Sequence, residues 1–453
     1  MLRRVLIANR GEIAVRVLRT CRALGIQAIV AASDADLDSV PARLADAVVR
    51  LGPAAAADSY LSVAAVMTAA RASAADAVHP GYGFLSENPE LARACDAAGL
   101  VFIGPTAEQL EAVGDKLTAR RHAITAGLPV AEGGEVTTPA DALALAGTIG
   151  FPVLVKAVAG GGGRGLRPVA SPETLGDTVA VARAEAAAAF GDSRVYLERY
   201  LPTGRHVEVQ LLGDGDRVIH IGDRDCSVQR RYQKLIEEAP APSLDDGLRS
   251  AIHRAAVTFG EHLRYRGAGT VEFLVEPASG TFYFLEMNAR IQVEHPVTEA
   301  VSGLDLVAEQ IWVAEGNPLR VTQDDVLLAG HAIECRINAE DWAQDFRPSP
   351  GTVTRAVFPA GPGIRVDTHV QAGATVPPWY DSLLAKLIVS GADRPEALGR
   401  LRAALARCHI DGVATTLGLH ERVTASSEFA AGGVDTGYLG RQLLLEPAGG
   451  GHR

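Results

Sequence analysis

The sequence predicts a multi-domain α/β (α+β) protein. It opens on a parallel sheet, passes through a small segment with a glycine-rich tip, and becomes β-rich toward its end. Three observations carry this. Val5–Ala8, the turn Asn9–Glu12, the stretch Ile13–Leu24 and Ile29–Ala32 read as strand, turn, helix and strand, with Gly25 as the helix C-cap. Pro152–Lys156 reads as a strand that runs straight into Gly160–Gly165 and is followed by a long alanine-rich helix. From about residue 200, alternating strands dominate: His206–Leu211, Val271–Val275 and Phe282–Glu286.

Taken in order, the first unit is a βαβ opening of a Rossmann-like parallel sheet. Further strands fall at Ala77–Val78 and at Leu100–Ile103, the latter stopped by Gly104-Pro105. The first turn lacks GxGxxG, so a dinucleotide-binding reading fails there. This domain is expected over 1–103, followed by a helical connector over 104–127 that contains Asp115-Lys116. Residues 128–199 hold the Pro152 strand, the glycines, a helix ending near Phe190 and the strand Val195–Glu198, built as a mobile lid would be. A core over 200–330 follows. Gly/Pro-rich turns at 348–351 and 359–363 place a β-rich subdomain over 331–446, with a helix at 394–407 and a disordered tail at 447–453.

Composition excludes several classes. The chain has 453 residues, a soft prior of about three domains. Its 54 acidic and 43 basic residues give a net charge of −11, without the basic footprint that nucleic-acid binding needs. No apolar run approaches the roughly 18 residues of a membrane span, and the apolar stretch at the N-terminus is too short for a signal peptide. Cys21, Cys95, Cys226, Cys335 and Cys408 form no CxxC pair, which reads as a reduced, cytoplasmic protein. Of the 43 basic residues only Lys116, Lys156, Lys234 and Lys386 are lysine. Where arginine replaces lysine wherever a generic charge suffices, the surviving lysines point to sites that need a compact ammonium.

Four constellations carry chemistry. The glycines after Lys156 can present backbone N–H groups to phosphate while the ammonium adds charge. The turn Pro277–Gly280 predicts a hairpin centred on 279 that sets Glu272 opposite Glu286, with Asn288 on the same face as Glu286. Two facing carboxylates repel unless a divalent cation takes them as hard oxygen ligands, and Asn288 supplies a third. Arg290, Gln292 and Glu294 alternate with Ile291 and Val293: an arginine and an amide able to hold a small planar oxyanion, with a carboxylate beside them able to act as base. Lys234 ends the basic stretch Arg224–Lys234 in an otherwise acidic chain.

Together these strings resemble the biotin carboxylase family, a branch of the ATP-grasp ligases. The resemblance runs over residues 1 to about 440. It rests on Ile7–Ala14, His79–Asn88, Gly114–Lys116, Gly160–Gly165, Arg205–Glu208, Arg224–Ser227, Glu237–Pro242, Gly267–Thr270, Glu286–Glu299 and Glu334–Asp341. It implies an ATP-grasp lid and core over 128–330, and ATP-dependent carboxylation of biotin with bicarbonate through carboxyphosphate, the first half-reaction of acetyl-CoA or acyl-CoA carboxylase in fatty acid biosynthesis. The alternatives are an ATP-grasp ligase with another acceptor, or the corresponding subunit of a pyruvate or propionyl-CoA carboxylase.

The resemblance also implies residue roles. ATP would be held by Lys116, Lys156, Gly162, Gly163, Glu198, Arg199, Tyr200, Leu201, His206, Gln229 and Tyr232. Magnesium or manganese would be held by Glu272, Glu286 and Asn288. Bicarbonate would be held by Lys234, Arg290, Gln292 and the Val293 amide, with Glu294 as its base. Arg336 would stabilise the biotin enolate, with Tyr82 also on the biotin side. The chain departs from the family pattern at Val158-Ala159 before the glycines, and at Arg199, Tyr232 and Ala289. Its methionines, at 1, 67 and 287, are too far apart for a Met-Lys-Met biotinylation motif. The resemblance therefore implies a separate biotin carboxyl carrier protein and separate carboxyltransferase subunits, and a homodimer. Lys386 receives no role and reads as a chance survivor or a buried structural pair.

Overall fold

The computed structural model describes residues 1–159 and 165–444; the Gly162 and Gly163 expectations and the 447–453 tail lie outside the described residues. The N-terminal sheet is parallel, in spatial order Ala47–Gly52, Gln27–Ser33, Arg4–Ile7, Ala77–His79, Val101–Phe102. The helix Gly11–Ala23 crosses between the strands Arg4–Ile7 and Gln27–Ser33, and Gly25 takes the left-handed φ of +72° beyond its C-cap. The edge strand Ala47–Gly52 carries no clear alternation and escaped the sequence reading.

The connector is two helices, Ala107–Gly114 and Lys116–Thr125, broken at Asp115. Thr106 and Gln109 form a capping box on the first. Asp115 caps the second by accepting from the Leu117 and Thr118 amides at 2.9 and 3.0 Å, which fixes the turn that begins with Lys116. Beyond it, an antiparallel sheet orders Gly133–Val136, Val195–Arg199, Val153–Ala157 and Leu166–Val169. The helices Pro139–Ile149 and Leu175–Phe190 cover it, with Val153, Val155, Val179 and Leu197 in a small core of their own.

The largest sheet has eight antiparallel strands in the order Thr281–Asn288, Arg266–Glu276, Arg205–Asp214, Val218–Arg230, Gln233–Ala239, His331–Asn338, Leu383–Gly391, Ile364–Thr368. It runs without a break from the middle of the chain into its last third. The expected helix appears as Arg394–Leu405 and packs on the strand Leu383–Gly391. No helix among the described residues is long and apolar enough to cross a membrane.

Candidate active site

A cavity of about 630 Å³ lies where these units meet. Lys116 lines it from the connector, Lys156 and Glu198 from the four-stranded sheet, and His206, Gln229, Glu272 and Glu286 from the large sheet. Tyr82 and Glu12 reach it from the N-terminal domain, and Arg336 from the C-terminal third. Arg199, Tyr200, Leu201, Tyr232, Lys234, Asn288, Arg290, Gln292 and Val293 complete the set of sequence-predicted residues on its wall. Glu294 is fully buried, directly behind Lys234 and Arg336.

The predicted pairing is present, Glu272 with Glu286 and Thr270 with Asn288, but by a different route: the hairpin is centred between 278 and 279, and a bulge between Glu272 and Phe273 shifts the ladder by one residue to bring the two carboxylates opposite. On its other edge the Glu272 strand pairs Glu272 with Glu208, so three carboxylates stand in a row across three strands. Burial raises the Glu286 carboxyl, and the Glu272 charge opposite adds to the rise. Burial pushes Glu272 the same way, but Lys234 and His206 outweigh it and leave that carboxyl well below its ordinary range. Glu272, Glu286 and Asn288 thus offer an all-oxygen donor set in which the half-buried Glu286 carboxylate is only partly offset by Lys116 and Lys156, and this fits Mg²⁺ or Mn²⁺. Asn288 is oriented by donating to Glu272 Oε1 at 2.8 Å and accepting from Arg290 at 2.9 Å.

Lys234 is the centre of the opposite wall. Its ammonium donates to Glu208 at 2.5 Å, Glu294 at 2.7 Å and Glu272 at 2.9 Å. Burial disfavours the charged lysine, but those three carboxylates more than reverse it and hold the ammonium well above its usual range. Glu208 is fixed from behind by Arg224, whose buried guanidinium reaches Glu208 at 2.5 Å, Gln210 at 2.8 Å, Thr298 at 2.9 Å and Thr270 at 3.1 Å. Two further triads, His206–Glu208–Glu272 and Glu208–Cys226–Glu294, bring possible metal ligands within 4.8 Å of one another, but Lys234 and Arg224 already supply their positive charge. Arg336 bridges Glu294 Oε2 at 2.8 Å and Glu237 at 2.5 Å. Burial again pushes Glu294 up, and Lys234, Arg336 and Arg224 together hold it well below the usual carboxylate range. Burial lifts Glu237 to about 7 against the pull of Arg336.

On the nucleotide side, Lys156 is ion-paired with Glu198 and lies 5.7 Å from the Tyr196 ring centroid. Burial lowers the Lys116 ammonium, with the Lys156 charge adding to the effect against Glu286. His206 Nε2 sits 2.8 Å from Glu272. Tyr232 takes a left-handed φ of +66° in the turn joining the Gln229 and Lys234 strands.

One part of the pattern reads differently in the structure. The alternation across 290–294 is not a strand: the strand stops at Asn288, and a loop leads into the helix His295–Ser302 with Pro296 in its first turn. The ladder ends because side chains take over the loop's polar groups. Arg290 donates to the Ile291 carbonyl at 3.2 Å and to Gln292 Oε1 at 3.0 Å, while His295 Nδ1 holds the Gln292 carbonyl at 2.7 Å. The residues in contact with the predicted set that the sequence reading did not single out are Glu208, Arg224, Glu237, Glu12 and Glu87; the last accepts from Arg290 at 3.0 Å and from the Ala289 amide at 2.9 Å. The signals for Glu208 were its place two residues after His206 on one strand face and its membership of the Arg205–Glu208 string.

Three family models match the chain: the biotin carboxylase N-terminal domain over residues 1–110, the carbamoyl-phosphate synthase L chain ATP binding domain over 115–322, and the biotin carboxylase C-terminal domain over 334–441. The chain is 50% identical over 439 residues to the biotin carboxylase of Nostoc sp., covering 96% of this chain and 98% of that one. It is 47% identical over 442 residues to a pyruvate carboxylase subunit of Methanothermobacter thermautotrophicus, covering 97% and 90%. Its fold is similar to the crystal structure of a biotin carboxylase–β-γ-ATP complex from Campylobacter jejuni, with TM-score 0.95, 44% identity and coverage of 97% and 99%. It is equally similar to the biotin carboxylase domain dimer of Hydrogenobacter thermophilus 2-oxoglutarate carboxylase with MgADP, ADP and bicarbonate, with TM-score 0.95, 42% identity and coverage of 98% and 99%.

Proposed function

We propose a reaction on one premise: this chain belongs to the biotin carboxylase family, a group of ATP-grasp ligases. It carboxylates the N1′ nitrogen of biotin on a separate carrier protein, with ATP and bicarbonate consumed and ADP and phosphate released. Lys116 and Lys156 hold the ATP phosphates, and Glu198, Arg199, Tyr200, Leu201, His206, Gln229 and Tyr232 hold the nucleoside side. Glu272, Glu286 and Asn288 hold a divalent cation, which when bound neutralises charge on the phosphates. Lys234, Arg290, Gln292 and the Val293 amide hold bicarbonate.

Glu294 is the base. Its low carboxyl pKa comes from ammonium and guanidinium partners. When bicarbonate draws Lys234 onto itself, Glu294 loses a partner, becomes more basic, and takes the bicarbonate proton. The freed carbonate oxygen attacks the γ-phosphorus and ADP leaves. The resulting carboxyphosphate breaks to CO₂ and phosphate, the phosphate takes the N1′ proton, and the nitrogen attacks CO₂. Arg336 stabilises the enolate oxygen of biotin, with Tyr82 at its side.

The observation that supports this most is the array of half-buried Lys234 and Arg336 on fully buried Glu294, beside the opposed Glu272–Glu286 pair. The product serves an acetyl-CoA or related acyl-CoA carboxylase through separate carboxyltransferase subunits, with the chain acting as a homodimer in the cytoplasm. Likeness to a pyruvate carboxylase component supports a second reading, in which a keto acid is the final acceptor. The test is ADP release with ATP, magnesium, bicarbonate and free biotin. Release that needs all four, and is lost in Glu294→Gln, is expected. Full-rate turnover without biotin would overturn the proposal.

A further inference from the structure

We infer that Lys386 is a positioning residue for the bicarbonate and biotin side of the cavity: it ties the Val293 carbonyl to Glu12 and, through Glu12, to the Tyr82 phenol. Lys386 is fully buried on the strand Leu383–Gly391. Its Nζ donates to the Val293 carbonyl at 2.9 Å and stands 3.0 Å from Glu12 Oε1 and 4.0 Å from Asp367. Tyr82 Oη donates to the same Glu12 oxygen. Across the sheet, Lys386 is the register partner of Arg336.

Three distant parts of the chain thus meet at one ammonium: Glu12 in the helix Gly11–Ala23, Val293 in the loop after the strand Thr281–Asn288, and Lys386 itself. Val293 is held on both sides. His295 fixes the Gln292 carbonyl and Lys386 fixes the Val293 carbonyl. Because each peptide unit is planar and trans, pinning the Gln292 carbonyl sets the direction of the Val293 N–H, and pinning the Val293 carbonyl sets where the chain enters Glu294. A buried lysine kept only to balance Glu12 and Asp367 needs no backbone carbonyl. A compact ammonium suits a carbonyl and a carboxylate from different elements, with Asp367 4.0 Å away adding only charge, better than a planar guanidinium does, which explains lysine at this place in an arginine-rich chain.

The inference rests on the proposed reading of Val293, Glu294 and Tyr82, and its test separates the two. Wild-type chain without bicarbonate-dependent ADP release would refute the reaction itself. With that release established, steady-state KM values for bicarbonate and ATP are measured for the double variant Lys386→Met/Glu12→Gln, which removes both charges together and so leaves no lone buried ion. A rise of about tenfold or more in bicarbonate KM is expected, with ATP KM within twofold of wild type and Tm close to wild type. Bicarbonate KM within twofold of wild type, or bicarbonate and ATP KM rising together, would overturn the inference. Should the double variant not fold, Lys386→Met alone decides, because the buried Glu12 carboxyl left behind can take up a proton: about a threefold rise in bicarbonate KM at constant ATP KM supports the clamp, and no rise refutes it.

Discussion

Replacing Lys234 by methionine removes one charge from a buried set of three carboxylates. The ammonium lies 2.5, 2.7 and 2.9 Å from Glu208, Glu294 and Glu272. At an effective dielectric of about 20, each contact represents about 6 kcal/mol of gross Coulomb attraction. Desolvation of the lysine takes back several kcal/mol, and Arg224, Arg336 and His206 still serve the three carboxylates after the change. The expected net loss at pH 8 is the cost of breaking a buried pair, about 3–5 kcal/mol.

The pH dependence gives the sharper check. In the native chain Glu272 and Glu294 are held below their ordinary range, so they contribute stability that is complete above the unfolded value and lost as pH falls through the folded one. In Lys234→Met, Glu294 still has Arg336 and Arg224, but of the cations beside Glu272 only His206 remains, so burial dominates there and lifts the Glu272 carboxyl above the unfolded value. A proton taken up on folding then recovers up to about 1.4 kcal/mol per pH unit as pH falls. The gap between native chain and variant should therefore narrow from pH 8 to pH 5.5, read as the first transition in urea unfolding followed by far-UV circular dichroism. An equal gap at both pH values would refute the reasoning that these carboxylates depend on Lys234.

Glu237→Gln tests the carboxyl held near 7 by burial. A raised carboxyl makes the native chain lose stability as pH rises from the unfolded value toward 7, so the variant should gain on the native chain by up to about 1.4 kcal/mol per pH unit across that window in urea titrations, and a constant difference would count against it. Arg231 and Tyr232, at φ +49° and +66°, form the two-residue turn between paired Arg230 and Gln233, a conformation that favours Asn-Gly. Arg231→Asn/Tyr232→Gly should stabilise the chain by about 1–2 kcal/mol, seen as a higher Tm, while ATP KM rises several-fold through loss of a cavity-lining ring. A lower Tm or an unchanged ATP KM would show that the strain or the contact has been misjudged.

Much of this protein was legible in its sequence because strand and helix periods are local. The βαβ opening, the Pro152 strand and the Ala-rich helix follow from spacing within a few tens of residues, and the structure carries them; the Glu272–Glu286 pairing is present too, but a bulge after Glu272 that no spacing records brings it about. Scarcity marked Lys156 and Lys234 before any geometry, and both stand in the cavity. Alternation failed at 290–294, where side chains of the loop itself replace the sheet ladder and no period records that exchange.

Only the tertiary structure decided what each charge faces. Glu294 and Arg336 meet across 42 residues of chain, Lys386 and Val293 across 93. Lys386, which composition could mark but not explain, is tied to the loop beside Glu294 because a sheet of eight strands brings distant segments side by side. Ionisation behaviour follows from that assembly: burial raises the energy of every charge, and the number of opposite charges packed within hydrogen-bond reach settles which carboxyl stays ionised and which holds its proton. Spacing along one chain sets which side chains share a face, and the folding of separate faces against one another sets their chemistry.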